Sequence, residues 1–144
     1  MHTARRVTLR FYNFCVTIPD RLYPFSEIVG GKRVRWRRAY DQALARMNEE
    51  KGGFGNYGAA LIAYRSIFHI IGSLLFIVFA TLVSQRLFGN ETALYILLAM
   101  AAFALVYQEF FLQPRTFGQM RLHSVIDLLS WIVPFGIFLY LHLS

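Results

Sequence analysis

At 144 residues, with 56% hydrophobic residues and a mean hydropathy of +0.42, the chain has room for one membrane domain and a modest extramembrane segment. Its net charge of +7 is unevenly placed: twelve of the fifteen Lys and Arg lie at or before Arg65, and apolar sequence follows immediately. That order points to an anionic membrane surface and away from nucleic acid, and a single cysteine, Cys15, excludes an intrachain disulfide.

The N-terminus carries Arg5, Arg6 and Arg10 with no acid before Asp20. No apolar core of about 7–15 residues follows these arginines, so they read as neither a secretory nor a twin-arginine signal. The same composition suits a mitochondrial presequence. Residues 7–18 are rich in β-branched and aromatic side chains and predict a short strand, broken by Pro19-Asp20. Cys15 reads as a small buried or interfacial apolar residue. One helical turn is expected from Pro24 towards Ile28, stopped by Gly30-Gly31.

Residues 34–50 predict an amphipathic helix. Trp36, Tyr40, Ala43, Leu44 and Met47 recur at helical spacing, and Arg35, Arg37, Arg38, Asp41, Gln42, Arg46 and Glu49 cover the remainder. Arg37–Asp41 and Arg46–Glu50 sit at i, i+4. Arginines crowd its first turn and Glu49-Glu50 its last, opposite to what the helix dipole favours. Lipid phosphates or an acidic partner would offset them. Arg35, Trp36, Arg37, Arg38, Tyr40 and Arg46 are the expected contacts.

Residues 52–58 read as a Gly-rich hinge containing a formal G-x-G-x-x-G. The dinucleotide fingerprint needs a strand before it and a βαβ unit around it. A charged helix precedes these glycines, so nucleotide binding is set aside.

Three apolar segments follow, with spans expected at about 65–84, 92–112 and 125–143, each near the roughly 20 residues that cross a bilayer as a helix. The first can begin as early as Ala59. Its Arg65, His69, Gly72, Ser73, Phe76 and Ala80 share one face, which should point at protein rather than lipid. Ser84–Thr92 reads as a short turn, where Asn90-Glu91-Thr92 matches a glycosylation sequon too close to the next helix for use. The second span has Ala99, Ala101, Ala102 and Ala104 for close approach, and Glu109 one turn from its end. After a polar loop at 113–124, His123, Asp127, Ser130 and Pro134 line one face of the third. Pro134 should kink that helix, softened by Gly136.

The sequence therefore predicts an all-α integral membrane protein. A basic inner-side segment, 1–58, precedes a three-helix membrane domain, 59–144. One basic residue (Arg86) lies in the first loop and two (Arg115, Arg121) in the second, so the positive-inside rule puts the N-terminus inside and Ser144 outside. A bacterial inner membrane is the expected site, with the mitochondrial inner membrane as the alternative.

That topology brings Arg65, His69, Glu109, Arg121, His123 and Asp127 to one depth near the inner interface. Two histidines and two carboxylates suit acid–base work or a metal. Ion pairs that hold the helices together, Arg65 with Glu109 and Arg121 or His123 with Asp127, account for them equally and ask for less. No H-E-x-x-H, Cys/His ligand set or Walker sequence occurs, and no metal or cofactor is expected. The spans offer too few polar residues for a transport path. The expected function is a non-catalytic subunit or assembly protein of a larger membrane complex, its partners being anionic inner-leaflet lipids and other membrane subunits or further copies of itself. The alternative is a small membrane enzyme or ligand-binding protein using His69, Glu109, His123 and Asp127.

The orientation is open to direct test. Reporter fusions at Gly89 and Ser144 should report the outer side and a fusion at Gly118 the inner side. An inner Ser144 would reverse the assignment.

Overall fold

The computed structural model of the chain describes residues 7, 10, 11, 13–15, 17–49, 56–113 and 121–144. They fall into two compact units, Met1–Leu61 and Ile62–Ser144.

In the first unit, the described residues among 7–15 are helical, not extended as expected. A solitary strand leaves its amides unsatisfied, whereas a helix satisfies them locally. Cys15 is exposed there rather than buried or interfacial. Thr17 Oγ1 donates to the Asn13 carbonyl at 2.8 Å, and helix α1, Ile18–Leu22, follows. Pro19 sits in its opening turn, where a missing N–H costs nothing.

The helical turn expected at 24–28 is absent. Strands β1 (Glu27–Val29) and β2 (Lys32–Val34) instead form an antiparallel hairpin, a local departure from an all-α chain. Val29 pairs with Lys32, so Gly30-Gly31 is a two-residue loop, with φ of +58° and +75°. Two successive positive φ values are what a primed turn demands and what glycine supplies without a Cβ clash.

Helix α2, Arg37–Glu49, starts later than Val34 because Val34 is committed to β2 and Trp36 is left-handed at φ +59°. Ala39, Tyr40, Ala43 and Met47 form its buried face. Tyr40 meets the edge of Tyr23 at 5.5 Å, and Tyr23 meets Phe25 at 5.3 Å. Glu27 turns inward to Arg46 at 3.0 Å. The hinge read at 52–58 lies mostly outside the described residues, and its last three, 56–58, already belong to the next helix.

Helix α3, Asn56–Val83, runs on through a π turn at Ser84–Phe88. Gly89 ends it at φ +65°, its N–H bonded to the Ser84 carbonyl at 2.8 Å. Asn90 then caps α4, Glu91–Tyr107, its side chain accepting from Ala93 N–H at 2.9 Å. The turn expected at 84–92 thus shrinks to Gly89-Asn90. A second π turn, Gln108–Leu112, extends α4, and α5 spans Arg121–Leu143. The stretches Gly58–Phe88, Glu91–Leu112 and Arg121–Leu143 are each long and apolar enough to cross a bilayer. This is a membrane-embedded protein of mostly helical structure.

Lipid offers helices no hydrophobic reason to associate, so close packing and polar contacts must hold them. Ile77 and Ala80 of α3, Leu94 and Leu98 of α4 and Phe135 of α5 form the core. Ala101 packs against it while Ala99 and Ala104 face outward, and Ala102 is half-buried. Ser73 Oγ donates to the Trp131 carbonyl at 2.8 Å. Beside it, a Cβ on Gly72 would stand 2.5 Å from Trp131 Cη2. Pro134 lies inside an uninterrupted α5, and Ser130 Oγ donates to the Ile126 carbonyl of its own helix at 2.8 Å.

The Gly72–Trp131 contact generates a prediction. The indole is rigid, so Gly72→Ala should overpack the α3–α5 seam and cost about 1–3 kcal/mol. Denaturant titration in detergent micelles should show that loss, and adding Trp131→Phe should recover part of it.

Candidate functional site, a buried polar network across three helices

Two i, i+4 pairs and Asp127 of α5 build the network: Arg65 and His69 on α3, and Glu109 and Gln113 on and just after the π turn of α4; His123 is buried one turn before Asp127 on α5. Each pair lies on one helix face and near the same end of the bundle, because α3 and α5 begin where α4 finishes.

Arg65 Nη2 donates to Asp127 Oδ2 at 2.5 Å, and to Gln113 Oε1 at 3.4 Å. Gln113 Nε2 in turn donates to Glu109 Oε1 at 2.7 Å. A continuous polar chain therefore runs from α5 through α3 to α4. His69 adds a branch, its Nδ1 lying 3.5 Å from Asp127 Oδ1. That spacing is an electrostatic approach only, for His69 Nδ1 makes no hydrogen bond. Its ring stacks on Trp131 at 5.7 Å, which fixes the imidazole beside the carboxylate.

The carboxylates of the network are buried, while Arg65, His69 and Gln113 keep partial exposure. Glu109 is fully buried, and Asp127 and His123 are each 2% exposed. Ser124 is buried beside His123 in the sequence and its hydroxyl has no hydrogen-bond partner. Arg121, expected with Asp127, is exposed. Arg65, expected opposite Glu109, makes its shortest contact with Asp127 and is linked to Glu109 through Gln113. Among the described residues, no group of three or more His, Cys, Asp or Glu is arranged to hold a metal ion.

Two participants were missed in the sequence. Gln113, expected in the following loop, lies at Glu109 plus four, and the π turn carries it into the bundle. Trp131 lies at Asp127 plus four, and that spacing was the available signal.

The opposite end of the bundle holds a shallow pocket of about 220 Å³ lined by Thr81, Ser84, Gln85, Asn90, Glu91 and His142, among others. His142 lies 3.7 Å from Glu91 and stacks on Phe138. Ser84 Oγ is already committed to the Asn90 carbonyl. The pocket is remote from the buried network and shares no residue with it.

Of the residues expected at a membrane or partner surface, Arg35, Trp36, Arg37 and Arg38 are exposed. Tyr40 is not, because its ring is buried against Tyr23. Arg46 is half-buried and turned to Glu27.

Chemically, the network is an ion pair with amide and imidazole supports. Removing one partner of such a pair strands a charge where it cannot be solvated. Asp127→Ala should therefore cost roughly 3–5 kcal/mol in detergent unfolding. Replacing both partners, Arg65→Met with Asp127→Leu, should be far milder, and a double-mutant cycle measures the difference.

Compared with known protein families, curated proteins and solved structures, the chain matches none, so its function rests on its own residues.

Proposed function

We propose that this chain is a non-catalytic, multi-pass subunit or assembly protein of a larger membrane complex. One observation carries the reading: Asp127 and Glu109, the carboxylates best placed for chemistry, are buried and held by Arg65 and Gln113. Groups spent in this way join helices and present no open face to a substrate. The exposed apolar surface of the three spans, including Leu75, Phe103 and Tyr140, is available to lipid or to further membrane helices. The membrane is taken to be a bacterial inner membrane, or the mitochondrial one, with the N-terminus inside, as the distribution of basic residues suggests. Partners would be other membrane subunits or a second copy, without a cofactor and without nucleic acid.

Purification in a mild detergent tests this. The expected outcome is a stable complex with stoichiometric membrane partners, retained in Glu109→Gln and Asp127→Asn, because an amide still hydrogen-bonds where a carboxylate did. Glu109→Leu should lower stability by about 1–3 kcal/mol by leaving Gln113 without that acceptor. A homogeneous protein carrying bound lipid or metal, whose amide variants fold and assemble but lose all function, would favour a membrane enzyme or ligand-binding protein instead.

A further inference from the structure

The hairpin and the turn into α2 leave one face that packing within the first unit does not use. Strand alternation sends Glu27 inward to Arg46 and puts Ile28 and its cross-strand partner Arg33 on the other side. Ile28 is 63% exposed. Just beyond β2, Trp36 is 59% exposed and holds its left-handed φ, a conformation rare for a bulky L-residue. Its carbonyl accepts from Ala39 and Tyr40 N–H at 2.9 and 3.0 Å, so the kink is locked by the start of α2. Between Ile28 and Ala39 the chain has five cations and no carboxylate. Asp41 lies 3.8 Å from Arg37, with both side chains more than half exposed, and Asp20 interacts electrostatically with the same guanidinium.

An exposed indole on a left-handed backbone, flanked in sequence by Arg35 and Arg37, gains nothing from packing within the unit. We infer that this face docks on anionic phospholipid headgroups, with Trp36 and Ile28 entering the interface and Arg33, Arg35, Arg37 and Arg38 meeting phosphates. Three features select lipid over the other acidic partners. The chain carries its own bilayer anchor, whose first span opens at Gly58, soon after α2 ends at Glu49. Tethering converts docking into an intramolecular step at high effective concentration. An exposed indole and an exposed aliphatic side chain suit the headgroup layer, which is apolar on one side and wet on the other. A nucleic-acid track would instead string several aromatics along a basic groove for base stacking. The inference rests on the membrane-embedded reading alone and does not need the subunit role, so either can fail without the other.

Full-length protein in nanodiscs provides the test. Discs of phosphatidylcholine alone are compared with discs that also contain phosphatidylglycerol. The Trp36 signal is taken as the difference between the native chain and Trp36→Phe. The expected result is a blue-shifted Trp36 emission, quenched by brominated acyl chains, in the anionic discs only. Raising salt should reverse it, and each of Arg35→Gln, Arg37→Gln and Arg38→Gln should lower the docked-to-free ratio roughly fivefold. A solvent-exposed Trp36 in both discs would overturn the inference. So would equal insertion in both, or protection that appears only when an acidic protein or RNA is added. Co-purification of membrane partners, measured on the same variants, reads the subunit role separately.

Discussion

Much of the membrane domain depends on the Arg65–Asp127 pair. It joins the first and last spans directly, and Gln113 carries it on to Glu109 of the middle span. In water such a pair would contribute little, since solvent would compete for both ends. Inside a bilayer neither group can go elsewhere, so the pair specifies which helices meet and at what height. Ser73 on the Trp131 carbonyl and Phe76 against Phe135 then continue the same seam in the same direction. The sequence order of these contacts shows α3 and α5 running parallel, in a register that Gly72 permits by leaving room for the Trp131 ring.

The first unit follows a different economy. Its helix α2 has an apolar face, but that face is occupied by α1, β1 and the Tyr23–Phe25 segment. Aromatic edges and the Glu27–Arg46 pair close a core too small to hold much more. What remains outside is mixed: Lys32, Arg33, Arg35, Arg37 and Arg38 are exposed, and so are Phe11, Phe14, Leu22, Phe25, Ile28 and Trp36.

Polar groups thus gather at three places with different chemistry. The buried network links the three spans through Arg65, Gln113 and Asp127. The pocket around Glu91 and His142 is open but shallow, with its serine already engaged. The basic hairpin face is exposed, with Arg37 set against Asp41 and Asp20. The two buried carboxylates of the membrane domain and the exposed arginines of the first unit are the features on which the proposed attaching role rests.

Amino-acid order alone determined the membrane class, because three apolar runs near 20 residues have no other stable solution in a chain this short. It also determined the face of the first span, since Arg65, Gly72, Ser73 and Ala80 repeat at helical spacing whatever they contact. Local chemistry was less legible where two conformations compete for the same residues. Tyr23–Ile28 and Val34–Trp36 could open helices, but Gly30-Gly31 makes a two-residue turn, and pairing then takes the flanking residues into strands. Tyr40 could belong to a surface stripe or a core, and only the arrival of Tyr23 decided which. The partner of Arg65 was likewise undetermined by order, because Glu109 and Asp127 stand at the same depth. Tertiary structure chose between them through the π turn that swings Gln113 inward and the α3–α5 seam that brings Asp127 to the guanidinium. Periodicity fixes which side of a helix a residue occupies, while the identity of its neighbour depends on how several helices rotate against one another at once.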